Sequence, residues 1–188
     1  MTDALRRYED ELVRQGLRDH FADGLTAREI DEIEAEVGFR FSEDVRAVWS
    51  WHNGTHETVI TLPGGQILIV PDHPFPRFRD AVDRGESMVK TAEILEEGTP
   101  GVDRFVQLNA GNDPFFINTT EPDLPDSLTF RSVWGRGINS VPHITVTERV
   151  DLWIEAFQSG AWYIDEHRGM QQIDDKLSDK LGALLYYR

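Results

Sequence analysis

The sequence predicts an α+β domain in which helices open the chain, strands fill its middle and helices close it. Three observations carry this. Residues 1–54 set apolar side chains at helical spacing between capping residues. After Gly54 the pattern changes to period two with β-branched residues, and the segments 57–62, 66–70, 104–109, 114–119 and 128–134 read as strands between Gly- and Pro-bearing turns. Helical spacing then returns after Thr147. Strands grouped together rather than alternating with helices predict a largely antiparallel sheet.

Leu5, Tyr8 and Leu12, with Leu17 beyond them, predict an amphipathic helix over the first ~20 residues, broken at Asp23-Gly24. Thr26-Ala27-Arg28-Glu29 is a capping box flanked by Leu25 and Ile30 at the staple positions. Ile30, Ile33 and Val37 form the apolar stripe of that helix, and Gly38 is its stop. After Phe39-Arg40-Phe41, Ser42 caps a second helix, with Glu43 and Asp44 near its positive end. Val45, Val48, Trp49 and His52 make its buried face, and Asn53-Gly54 is the expected end. Two short helices so closely joined pack as an angled pair.

Residues 57–62 and 66–70 read as a hairpin around Pro63-Gly64-Gly65. Pro71 to Pro76 is an ordered loop, and residues 77–97 carry helical charge spacing. Residues 104–109 and 114–119 form a second hairpin, followed by a strand at 128–134 and a short extended lead-in at 143–146. Thr147 is the expected cap of a helix with Val150, Trp153, Ile154 and Phe157 on one face, ended by Gly160. Ile173, Leu177, Leu181 and Leu184 predict a last amphipathic helix, making 161–188 a helical extension.

At 188 residues the chain suits one domain, 1–188, with a sizeable core. It has no cysteine, which removes disulfides, thiolate metal sites and Cys nucleophiles and suits a reducing cytosol. The opening residues alternate charged and apolar types, unlike a secretory signal, and no run approaches the roughly 20 apolar residues of a membrane span. A cytoplasmic protein without a membrane partner is expected. The formal charge is −15, from 34 acidic and 19 basic residues. Such a field repels nucleic acid and steers toward basic partners, although acidity also serves solubility.

Catalytic and metal signals are weak. His52, His56, Asp72 and His73 have no recognised ligand spacing, and His52 reads as a hydrogen-bonded core histidine. Ser50, Ser87 and Ser132 lack a nucleophile-elbow context, and Gly64-Gly65 and Gly135-Arg136-Gly137 match no phosphate loop. Carboxylate pairs such as Glu34 with Glu57, or Asp123 with Asp126, arise by chance in so acidic a chain. No enzyme activity, cofactor or metal is expected.

The stretch Leu25 to Gly54, with Ile30, Ile33, Glu34, Gly38, Val45, Trp49, Asn53 and Gly54 in place, resembles the opening of the SUKH superfamily. That superfamily includes yeast cell-wall-assembly regulators and bacterial toxin-immunity proteins. Arg104 to Asn118 resembles its central hairpin and Val146 to Phe157 its closing strand-to-helix element. Phe41-Ser42 replaces the proline usual before the second helix, and residues 71–103 read as an insertion. The resemblance implies a non-enzymatic protein binder. In bacteria this is an immunity protein that neutralises a toxin, such as a basic nuclease; the alternative is a regulatory scaffold for an endogenous protein. A monomer or weak homodimer is expected. Candidate partner-binding residues are the acids Asp72, Asp80, Asp83, Glu86, Asp113, Glu121, Asp123 and Asp126, read as loop residues, with the aromatics Trp162 and Tyr163.

Overall fold

A computed structural model describes residues 1–56, 75–94, 104–109, 114–123, 126–132, 138–165 and 170–174. The class is α+β, with every described strand pair antiparallel.

Helix α1 (Thr2–Arg14) buries Leu5, Tyr8 and Leu12, as their spacing predicts. It stops well short of Asp23-Gly24. Gly16 adopts φ +70°, a left-handed conformation that ends the helix and frees Leu17 to enter the core. A 3-10 turn (Arg18–His20) and strand β1 (Phe21–Asp23) follow.

Helix α2 (Ala27–Val37) starts at the predicted capping box, with both Thr26–Glu29 bonds made, and ends at Gly38, whose N–H donates to the Glu34 carbonyl. Helix α3 (Glu43–Trp51) starts on the Ser42 cap. Its expected end at Asn53-Gly54 is corrected by one residue, since the last helical residue is Trp51 and not His52. His52 is already extended, and β2 (His52–Thr55) pairs with β1. The predicted hairpin at 57–70 lies outside the described residues.

Helix α4 (Phe78–Ile94) is a full 17-residue element. Phe78, Ala81 and Val82 enter the main core, while Met88 and Val89 reach a second cluster of Phe105, Phe116 and Phe130. Between them Gly85 lies flush on the sheet, where a Cβ would come within 1.8 Å of the Phe105 carbonyl oxygen. The helix thus covers the edge of a four-stranded sheet in the order β3-β4-β5-β6: β3 (Phe105–Gln107), β4 (Phe115–Asn118), β5 (Leu128–Ser132) and β6 (Ile138–Thr145). The sheet has a core on each face. Val106, Leu108, Phe115 and Ile117 join α1, α3 and α5 on one side, and the phenylalanine cluster meets α4 on the other.

Helix α5 (Val146–Gln158) buries Val150, Trp153, Ile154 and Phe157 as predicted. Its cap is Thr145 and not Thr147, because Glu148 stands three residues after Thr145 and completes a second capping box. Tyr8 of α1 packs against Trp153 and Phe157, and Arg7 pairs with Asp151 at 2.7 Å. The predicted C-terminal helical extension is corrected at its start. Residues Trp162–Asp165 (β7) and Met170–Ile173 (β8) form an antiparallel hairpin, so Ile173 belongs to a strand. Leu177, Leu181 and Leu184 lie outside the described residues.

The Gly85 contact sets a test. Gly85→Ala is expected to destabilise the protein by about 1–3 kcal/mol, because backbone on both sides must part to admit a methyl group. Urea denaturation reads this; an unchanged midpoint would contradict the α4–β3 packing.

Candidate partner-binding surface

The acids named from the sequence fall into two groups in the fold. Asp80, Asp83 and Glu86 are exposed, as expected, but they stand on α4 and not on a loop. Spaced by three residues, they project from neighbouring turns of one helix. Bases flank them: Arg79 pairs with Glu36 of α2, and Lys90 lies 3.7 Å from Glu86. Asp80 and Asp83 have no ion pair among the described residues.

The second group, Glu121, Asp123 and Asp126, is exposed on the connection between β4 and β5. Here the chain is held by a buried polar knot at the start of α3. Ser42 N–H donates to Thr119 Oγ1 at 2.9 Å, and Ser127 Oγ–H donates to Ser42 Oγ at 2.7 Å. Ser127 N–H donates to Asp44 Oδ2 at 2.6 Å. Asp44 is only 3% exposed, so a residue read from the sequence as a helix-end acid is also a strut between α3 and the sheet. Burial pushes its carboxyl above the usual range, against the lowering effect of the Ser127 amide and the N-terminal ammonium; nearby Asp126 adds to the rise. Asp72 and Asp113 lie outside the described residues.

Much of the acidity on α2 is spent inside the molecule. Arg46 bridges Asp31 and Glu34 at 2.7 Å each, Arg28 pairs with Glu32 at 2.9 Å, and Glu29 is committed to the cap. Glu34 also accepts from the Phe41 N–H at 2.8 Å, fixing the turn between the paired helices. Exposed α4 and β4–β5 acids therefore offer a partner more than the α2 acids do.

The two aromatic candidates separate. Trp162 is corrected to a core residue: it is 1% exposed, with its ring edge-on to Phe157 at 5.5 Å. Strand alternation turns the next side chain outward, and Tyr163 is 43% exposed. Trp49 and Trp153 are buried, as their helical positions predict, and Trp51 is partly buried.

A feature that sequence reading missed is a groove between α1 and α3. One part has a volume of about 470 Å³, with Leu5, Glu9, Arg18, Trp51 and His52 on its walls. A second part of about 400 Å³ shares Thr2, Ala47 and Ser50 with it and reaches Glu43 and Asp44. His52 is a hydrogen-bonded core histidine, as predicted, but both ring nitrogens are engaged, so it is not poised as a general base. Among the described residues there is no group of three or more side chains suited to a metal ion, and no helix long and apolar enough to cross a membrane.

No family model and no curated protein matches the chain.

The raised Asp44 carboxyl gives a signed test. A group favouring its proton in the fold costs stability as pH rises from its unfolded value, near 3.8, through the raised folded value. Asp44→Asn keeps an acceptor for the Ser127 N–H and removes the charge. The variant's stability relative to the parent is expected to improve between about pH 4 and pH 7. Urea midpoints at the two pH values check this; a variant that loses ground as pH rises would contradict the burial account.

Proposed function

We propose that this chain is a SUKH-type immunity protein, a non-enzymatic cytoplasmic binder that occludes a basic toxin domain such as a nuclease, as a monomer or weak homodimer. The observation that carries the reading is the paired-helix entrance: capped α2, the Gly38 stop, the Ser42 cap and α3 running to Trp51 just before Asn53-Gly54. The β3–β4 hairpin and the β6-to-α5 step follow in the order the resemblance implies. Fold alone does not assign function, so charge supplies the second support.

A toxin that cleaves nucleic acid needs a basic cleft, because phosphate contacts dominate that binding. Ion pairs on α2 cancel at long range, but the excess of −15 remains and accelerates encounter with such a cleft. Asp80 and Asp83 on α4, and Glu121, Asp123 and Asp126 on the β4–β5 connection, are exposed, which supports them as the carboxylates such a cleft would meet. Tyr163 is the exposed aromatic available as an anchor.

Co-expression with the product of an adjacent toxin gene is expected to protect cells and yield a stable complex on size-exclusion chromatography. Reversing Asp80 and Asp83 to lysine is expected to slow association about tenfold at low salt, with the difference shrinking as salt rises. Neither protection nor a complex would refute the immunity reading. A complex only with an endogenous protein would replace it with the scaffold reading.

A further inference from the structure

Helix α4 carries two of the exposed acids, yet the residues just before it offer no cap of their own. The first N–H groups of a helix have no acceptor within it. Pro76 and Arg77 precede Phe78, and neither side chain bears an oxygen. The acceptor comes from 25 residues earlier: Phe78 N–H donates to Asn53 Oδ1 of β2 at 2.9 Å. Asparagine suits this task, because its short side chain ends in the acceptor that serves at ordinary helix starts.

The same strand grips the approach to the helix. Thr55 N–H and Thr55 Oγ1–H both donate to the Phe75 carbonyl, at 3.1 Å and 3.4 Å. Trp49 Nε1–H of α3 donates to the Pro76 carbonyl at 3.3 Å. Its ring packs on Phe75 and Phe78, with centroids 5.5 Å and 5.0 Å away. Between Asn53 and Thr55 stands Gly54 at φ +83°, where a Cβ would lie 2.8 Å from the Arg77 nitrogen. A side chain there would force the incoming backbone away from Asn53.

We infer that Asn53 is a positioning residue for partner docking: it caps α4 across the fold and so sets Asp80 and Asp83. The docking half of this rests on the proposed function; the cap does not. Asp80 is the third residue of the helix, and Asp83 follows about one turn later. Beyond them Gly85 lies against the Phe105 carbonyl. The two acids thus stand between two backbone anchors, Asn53-Gly54 and Gly85. Phe78, Ala81 and Val82 choose the buried face of the helix, and the anchors fix where along its axis it begins. Asn53-Gly54 therefore serves the start of α4 as well as the end of α3.

Amide exchange tests the cap on the protein alone. Asn53→Ala is expected to speed exchange at Phe78 about tenfold, and Asn53→Asp, which keeps the acceptor, to restore the parent rate. Unchanged exchange at Phe78 in Asn53→Ala would overturn the cap. If that variant does not fold, the parent decides, and fast exchange at its Phe78 would overturn the cap. The docking role is read on the complex with the product of the adjacent toxin gene. There Asn53→Ala is expected to weaken binding about fivefold, and not at all once Asp80→Asn and Asp83→Asn are both present. Equal losses in the two backgrounds would show a general structural effect and overturn the positioning role. A parent that forms no such complex refutes the immunity reading and the docking role with it, while the exchange result stands by itself.

Discussion

The fold depends on a buried polar knot where the start of α3 meets the connection between β4 and β5. Ser42, Asp44, Thr119 and Ser127 come from segments about 80 residues apart, and apolar contact alone does not fix which oxygen meets which N–H. Once the knot is made, Ser42 performs two tasks. Its hydroxyl caps α3 through the Val45 N–H, and its backbone N–H ties α3 to Thr119. The helical pair is thereby set against the sheet, and the exposed acids next to Ser127 are set beside the helical pair. A half-made knot would leave a buried carboxylate and hydroxyls without partners, a costly state in a low-dielectric interior.

Around this joint the molecule divides its carboxylates by use. Those on α2 are drawn into ion pairs with Arg28 of the same helix and with Arg46 and Arg79, the last two bracing it against α3 and α4. Asp80, Asp83, Glu121, Asp123 and Asp126 remain exposed. Among the described residues the exposed candidate acids left outside these pairs therefore lie on α4 and on the β4–β5 connection, and less on the helix that carries the densest acidic sequence.

Legibility in the sequence followed the range of the interaction. The Thr26–Glu29 box, the Gly38 stop and the Ser42 cap are written within a few residues, and each forms as read. Thr147 drew attention from Thr145 because two threonines flank one valine, and only the spacing to Glu148 decides between them. Trp162 and Tyr163 already show in-out alternation, but a strand of four residues leaves too few positions to separate it from a loop after a helix. Asp44 looked like an ordinary helix-end acid because its partner lies 83 residues away. His52 was readable as core from its place on the apolar face, whereas Glu9, 43 residues earlier, carries no local sign of meeting it. Exposure of the α4 acids followed from their charge, but their helix was not read as a complete element beside the proline-rich loop.

The most direct test of the knot is a double-mutant cycle on Ser42→Ala and Ser127→Ala, read by urea denaturation. If the two hydroxyls act as one unit joining α3 to the sheet, the second substitution costs much less once the first is made, with a coupling of about 1 kcal/mol. Additivity of the two losses to within about 0.3 kcal/mol would show that the hydroxyls act independently, and would contradict the knot as the joint on which the arrangement rests.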